Sequence, residues 1–224
     1  MKTFDFEQGT AEWLAARRGV ITASESAPFF HGSGKVAEAA RQKYIDRKVA
    51  ELSGHHEESA FVSDAMKRGT ALESIARLEY ERMIDIPVME IGFVKRENSE
   101  VGCSPDGLIY DGKALVGGAE IKCPSGATQI RYLREGSLPP EYIYQVHHSM
   151  AVLNVDWYDF FSFCPLVTQW TKTKEKWYVD EWAPGLIPSF SIRIYRDKFT
   201  DELSEALENV AAEIQKQLAW LNLL

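Results

Sequence analysis

The sequence predicts an α/β fold, a mixed central β-sheet flanked by helices, and three observations carry that expectation. Helical periodicity dominates the first third and the closing stretch. Short β-branched and aromatic runs bounded by turn residues fill the middle. A pair of helical segments separates two groups of strands, the alternation expected when helices cover a sheet. A length of 224 residues suits one such domain. It is expected to comprise a helical part over 1–87, a sheet core over 88–165, and closing strands with a helix over 166–224.

Taken in order, Glu12 to Arg17 has helix-favouring composition and Gly19 ends it. Val20-Ile21-Thr22 is extended, Ser24 is placed to cap a second short helix, and residues 31–35 (His-Gly-Ser-Gly-Lys) form a loop. Apolar residues recur at helical spacing over 36–52 (Val36, Ala39, Ala40, Tyr44, Val49, Leu52). They do so more strongly over 64–85 (Met66, Leu72, Ile75, Ala76, Met83), where Pro87 closes the helix. Glu73 and Arg77 stand four apart and share a helix face. Strands are expected at 88–95, 101–103 and 108–110. Another, after Gly117-Gly118, runs over 119–123 to Pro124. Helices at 128–134 and 141–152 precede strands at 157–164, 176–182 and 190–195. An amphipathic helix from Thr200 closes the chain with Leu203, Leu207, Val210, Ile214, Leu218 and Leu221. Trp220 and Leu221 could meet a partner, but burial in the chain's own core is the expectation.

The composition is 45% hydrophobic, 12% aromatic and 26% charged, ordinary for a chain with a packed core. No apolar run is long enough to span a bilayer and the first residues lack a signal-peptide pattern, so a soluble cytoplasmic protein is expected. Cys103, Cys123 and Cys164 are too few and too scattered for a disulfide framework or a zinc site, and nothing brings His55-His56 or His147-His148 into register with them. A net charge of −8 disfavours a generally nucleic-acid-binding surface, but not a local basic channel.

The chemistry concentrates between Cys103 and Cys123. Ser104-Pro105-Asp106-Gly107 reads as a turn, proline presetting one angle and glycine tolerating positive φ, that presents Asp106 at a strand end. In a strand, Glu120 and Lys122 point to one face and Ile121 to the other. Two carboxylates can hold Mg²⁺, with the Ile121 carbonyl as a further oxygen. Lys122 can position or deprotonate a water, or stabilise developing negative charge. Each element alone is ordinarily bland: Ser-Pro-Asp-Gly shapes backbone, and Glu-x-Lys is a solvated face. Their joint placement at the ends of adjacent apolar strands points to phosphodiester cleavage.

Pro-Asp, a spacer and Glu-x-Lys resembles the PD-(D/E)XK nuclease signature. Gly19 to Glu25, Gly69 with Leu72-Glu73 before Arg77, Cys103 to Gly107, Glu120 to Pro124 and Gln145 to Met150 occur in that order. Together they resemble the lambda-exonuclease-like (YqaJ viral recombinase) family over roughly residues 10–165. The resemblance implies a restriction-endonuclease-like core. It implies a Mg²⁺-dependent 5′-to-3′ exonuclease that digests one strand of linear duplex DNA from a 5′-phosphorylated end, leaving 3′ tails for phage-type recombination by strand annealing. It also implies a phage- or prophage-encoded homotrimeric ring in a bacterial cytoplasm, handing its product to a single-strand annealing protein. By this resemblance Asp106 and Glu120 are metal ligands, with Ile121 offering its carbonyl, and Lys122 is the catalytic lysine. Glu73 and Gln145 line the site, and Arg17 and Ser24 hold the 5′-phosphate. Mn²⁺ is an expected substitute and two ions are expected, although the residues themselves do not separate one from two. The family's loop arginine is missing, so Lys35 or His31 would stand in for it, without the planar fork. Arg17 and Arg18 are not distinguished. Lys43, Arg47, Arg68 and Arg131 are channel candidates. A same-fold endonuclease or repair nuclease, and a non-catalytic DNA-binding module, are the alternatives. The absence of an iron–sulfur cysteine cluster and the intact Asp106, Glu120 and Lys122 count against them respectively.

Overall fold

The computed structural model describes residues 1–25, 35–55 and 62–222, with the backbone alone at 35–37. Strand β1 (Lys2–Phe4), helix α1 (Ala11–Arg17) and strand β2 (Ile21–Thr22) lead into the long helices α2 (Lys35–Leu52) and α3 (Asp64–Ile84). Five strands follow: β3 (Val88–Met89), β4 (Phe93–Lys95), β5 (Val101–Cys103), β6 (Gly107–Asp111) and β7 (Ala114–Lys122). Helix α4 (Gly126–Glu135), a 3-10 turn (Pro140–Tyr142) and α5 (Ile143–Leu153) precede β8 (Trp157–Ser162), β9 (Leu166–Lys172), β10 (Trp177–Ala183) and β11 (Phe190–Tyr195). Helix α6 (Lys198–Trp220) closes the fold. Thr10, Ser63, Ser125 and Asp197 cap α1, α3, α4 and α6, each side chain accepting a backbone N–H of the first turn.

The central sheet has the order β11-β8-β7-β6-β3 among the described residues. It is mixed, as expected: β7 and β8 run parallel, with Glu120 opposite Phe160, and the other pairs are antiparallel. Strand alternation sends Ile109 and Ile121 to one face, where Ala76 and Tyr80 of α3 pack with Phe161. It sends Leu108 and Tyr158 to the other, against Val146 and Met150 of α5 and Leu207 and Ile214 of α6. The result is a sheet between helical layers, with Glu120 on the α5 side. A second sheet, β1-β4-β5-β2, brings the N-terminal segment beside the strand that leads to Asp106.

Several boundaries differ from the sequence expectation, for physical reasons. The stretch 88–95 is two strands in different sheets: Val88–Met89 pairs with β6, and Phe93–Lys95 pairs with β1 and β5. Between them Gly92 passes so close to Phe6 that a Cβ there would lie 1.9 Å from the Phe6 carbonyl oxygen. Strands β1 and β9 were not expected, because both are mostly exposed and bury no regular apolar face. Helix α3 stops at Ile84, with Asp85 in the left-handed conformation (φ 55°), two residues before Pro87. Trp220 and Leu221, expected in the core, are 80% and 44% exposed. The short helix expected after Ser24 and most of the 31–35 loop lie outside the described residues.

Two glycine readings change. Gly107 does not have positive φ; it is needed because a Cβ would sit 2.3 Å from Val88 Cγ1. Gly117 and Gly118 do not precede β7 but lie within it, where added Cβ atoms would meet the rings of Trp157 and Tyr158 at 2.4 Å. Aromatic rings of β8 thus lie across bare backbone in β7. Because Tyr158 is fully buried and cannot swing away, Gly118→Ala is expected to destabilise the protein by about 1–3 kcal/mol, the usual cost of overpacking. A urea midpoint unchanged from wild type would contradict this packing.

Candidate active site

Asp106 sits where the chain crosses from the second sheet into the central one, between β5 and β6. Its backbone N–H donates to the Ala119 carbonyl (3.2 Å), and its Oδ2 accepts the Ile121 N–H at 2.7 Å. The aspartate therefore extends the β6–β7 ladder past the end of β6, which fixes its carboxylate beside β7. Glu120 and Lys122 stand on one face of β7, as their spacing requires, and the Lys122 ammonium pairs directly with Glu120 Oε1. The same ammonium lies 3.5 Å from Asp106 Oδ2. Ile121 points the other way, into the α3-side core. The spacer between Asp106 and Glu120 is the β6–β7 hairpin, turned at Gly112 (φ 57°).

Two helices complete the cluster. Gln145, in the first turn of α5, donates Nε2 to Glu120 Oε1 at 2.6 Å. Glu73, on α3, accepts from Arg77 Nη2 at 3.0 Å and is electrostatically linked to Asp106 and Lys122. Arg77 is not an exposed partner: its side chain is only 11% exposed, and its Nε donates to the Asp106 carbonyl at 2.9 Å. The structure thus brings Asp106, Glu120, Lys122, Glu73 and Gln145 into one cluster.

Burial dominates the electrostatics. Desolvation pushes the Glu120 carboxyl up to about 8, against the pull of Lys122 and with the push of Asp106. It lifts Glu73 to about 7, reinforced by Asp106 and opposed by Arg77 and Lys122. Burial also disfavours the Lys122 ammonium, but Glu120 and Asp106 outweigh it and hold the lysine above its ordinary value. Glu120 is 1% exposed, and its Oε2 is buried with no hydrogen-bond partner. An orphaned buried carboxylate oxygen is costly unless something fills its place. The acidic side chains of the cluster, Asp106, Glu120 and Glu73, offer oxygen ligands, the kind a hard divalent cation takes. Among the described residues no three His, Cys, Asp or Glu side chains are grouped to hold an ion unaided.

A second polar cluster lies alongside. Arg17 donates from Nη1 to Ser104 Oγ (2.8 Å) and from Nη2 to Thr22 Oγ1 (3.3 Å) and Ser24 Oγ (3.4 Å). Its guanidinium stacks 4.1 Å from the Trp13 ring centre, and Trp13 Nε1 also donates to Ser104 Oγ (3.1 Å). Arg18 is exposed, and Arg17 is the arginine of this cluster. Ser104 and Trp13 were not singled out from the sequence. The signal available was Ser104's position two residues before Asp106. The Lys35 side chain and His31 lie outside the described residues.

The channel candidates divide. Arg68 is committed to the Cys123 and Pro124 carbonyls, both at 2.6 Å, and so holds the chain leaving β7. Arg47 pairs with Glu25 and Glu51, and Arg131 with Glu141 and Glu135. Lys43 is exposed. The three cysteines are free thiols. Among the described residues, no helix is long and apolar enough to cross a membrane.

Comparison with known proteins places this geometry. A model of the YqaJ-like viral recombinase domain matches residues 12–156. The crystal structure of an alkaline exonuclease (LHK-Exo) from Laribacter hongkongensis is 30% identical over 95% of this chain and 96% of its own, with a TM-score of 0.73. LHK-Exo in complex with dAMP matches at 31% identity over the same shares, with a TM-score of 0.72. A phage-related exonuclease from Haemophilus somnus 129PT is 12% identical over 89% of this chain and 95% of its own, with a TM-score of 0.57, and bears on the fold alone. No curated protein matches. The model match spans more than half of the sequence and the relatives nearly all of it, so the chain belongs to the YqaJ-like viral recombinase family.

Proposed function

We propose that the protein is a Mg²⁺-dependent 5′-to-3′ exonuclease that digests one strand of linear duplex DNA. The observation that carries this reading is that Lys122 joins Glu120 Oε1 and Asp106 Oδ2 in one cluster while Glu120 Oε2 is buried without a partner. Membership of a viral recombinase family and likeness to an alkaline exonuclease support a nuclease. Asp106 and Glu120, with the Ile121 carbonyl, would hold Mg²⁺ or Mn²⁺, as one ion or two. A bound divalent ion supplies an activated water and offsets charge on the phosphate.

The chain's own groups do the rest. Lys122, which Glu120 and Asp106 hold above its ordinary pKa, positions or deprotonates the attacking water, or offers positive charge to the reacting phosphate. Gln145 orients the Glu120 carboxylate through the oxygen it already bonds. Arg17, with Ser24 and Ser104, offers a planar fork and hydroxyls to a terminal phosphate. That cluster sets which end enters and hence the polarity. A ring of three subunits, a 3′-tailed product passed to an annealing protein, a role in phage recombination and a bacterial cytoplasmic setting extend the same proposal through the family.

Digestion of end-labelled linear duplex in Mg²⁺, with and without a 5′-phosphate and beside a closed circle, tests the proposal. Loss of the 5′-phosphorylated strand alone, with the circle intact, is expected; cutting of the circle would overturn it. Lys122→Ala is expected to retain duplex binding and lose about 10²–10⁴-fold in cleavage rate, and near-wild-type Mg²⁺-dependent digestion by it would contradict the mechanism. Arg17→Ala should erase the preference for 5′-phosphate over 5′-hydroxyl ends while leaving Mg²⁺ binding intact. An unchanged preference ratio would assign the phosphate pocket elsewhere.

The raised carboxyls also predict a pH dependence. Without metal, Glu120 and Glu73 bind protons more tightly folded than unfolded. Their stabilising contribution is therefore full below about 4.5 and lost as pH rises towards 7–8. Mg²⁺ competes with those protons. The Mg²⁺ concentration for half-maximal cleavage should fall as pH rises from 6 to 9, and the thermal stabilisation by Mg²⁺ should grow over the same window. A Mg²⁺ requirement independent of pH would contradict the assignment.

A further inference from the structure

Arg77 makes three hydrogen bonds beside the site, and the mechanism above gives it no task. It projects from α3, one turn after Glu73, and its guanidinium reaches three separate segments. Nε donates to the backbone carbonyl of Asp106 at 2.9 Å, Nη2 to Glu73 Oε1 at 3.0 Å, and Nη1 to Glu90, which lies between β3 and β4. Its side chain is 11% exposed, whereas that of Glu90 is 60% exposed. The Asp106 carbonyl belongs to the residue whose Oδ2 already accepts from Ile121. Arg77 therefore fixes the main chain of Asp106 while the sheet fixes one carboxylate oxygen.

This arrangement does more than tie a helix to a sheet. A cation meant only to anchor α3 has no need to grip the catalytic aspartate and the neighbouring glutamate together. Glu73 and Asp106 are both acidic, and Arg77 is bonded to each of the two residues. A planar guanidinium that bonds Glu73 Oε1 and the Asp106 carbonyl at once fixes one carboxylate directly and the other through its main chain, which a point charge cannot do. We propose that Arg77 is a positioning residue that aims the Asp106 and Glu73 carboxylates at the divalent cation and so sets the Mg²⁺ concentration the protein requires. The proposal rests on the metal-dependent nuclease reading and deepens it.

Arg77→Lys separates the fork from the charge, because the ammonium keeps the charge and loses the three-way geometry. Two readouts are taken on the full chain: the Mg²⁺ midpoint for cleavage of linear duplex, and the Mg²⁺ midpoint for thermal stabilisation of the protein without DNA. The expected result is a rise of about tenfold in both midpoints, the cost of roughly one hydrogen bond to a charged group. Saturating Mg²⁺ should restore most of the rate, and the melting temperature without metal should change little. Glu90→Gln, at the exposed end of the fork, should fold normally and raise both midpoints two- to threefold, so the test survives if Arg77→Lys does not fold. Midpoints unchanged in the folded variants would overturn the proposal, whether or not the metal-free melting temperature falls, because Arg77 would then be an anchor only. If the wild-type protein shows neither Mg²⁺-dependent cleavage nor Mg²⁺ stabilisation, the nuclease reading itself fails, a result distinguishable from failure at Arg77.

Discussion

The structure depends on a carboxylate buried where carboxylates ordinarily do not go. Glu120 is almost wholly enclosed, yet one oxygen is shared by Lys122 and Gln145 while the other has no partner. An isolated buried carboxylate is strongly disfavoured, so a fold that keeps one must compensate it. Lys122 supplies part of that compensation, and the raised pKa of Glu120 shows that it is incomplete. A divalent cation at Oε2 would complete it.

The rest of the fold positions that atom. The parallel β7–β8 pair sits in the middle of the sheet and cannot shift without disturbing cores on both faces. The glycine pair in β7 lets the rings of Trp157 and Tyr158 lie against bare backbone and locks the register two residues before Glu120. Asp106 is held by the ladder of the strand it serves, and α3 and α5 deliver Glu73 and Gln145 from the two helical layers. Arg68 pins the exit of β7 through the carbonyls of Cys123 and Pro124. Helix α1 supplies Arg17, which bonds Ser104, so the Arg17 cluster and the carboxylate cluster share one short stretch of chain.

How much of this the sequence foretold follows from which signals are local. The Asp106, Glu120 and Lys122 triad was legible because two-residue alternation and a short hairpin dictate its geometry. The long helices were legible because each buries a regular face. Contacts spanning many residues were not. Ser104 as the partner of Arg17, and Arg77 as the partner of the Asp106 carbonyl, join residues 87 and 29 positions apart. The division of 88–95 between two sheets depends on Phe6 meeting Gly92, which no window around residue 92 contains. Strands β1 and β9 escaped because strands that bury little leave little periodicity. Gly107 was read as a turn glycine and Gly117-Gly118 as standing before the strand, when their use here is to admit a neighbour's side chain.

The central claim is that Glu120 Oε2 and Asp106 mark the place of a divalent cation. A crystal of the protein soaked in Mn²⁺, with anomalous scattering recorded at the manganese edge, tests it most directly. The account predicts an anomalous peak within coordination distance of both carboxylates. Lys122 should be displaced from Glu120 towards the substrate side. A well-ordered crystal with no peak there, or with manganese bound only at surface carboxylates, would contradict it.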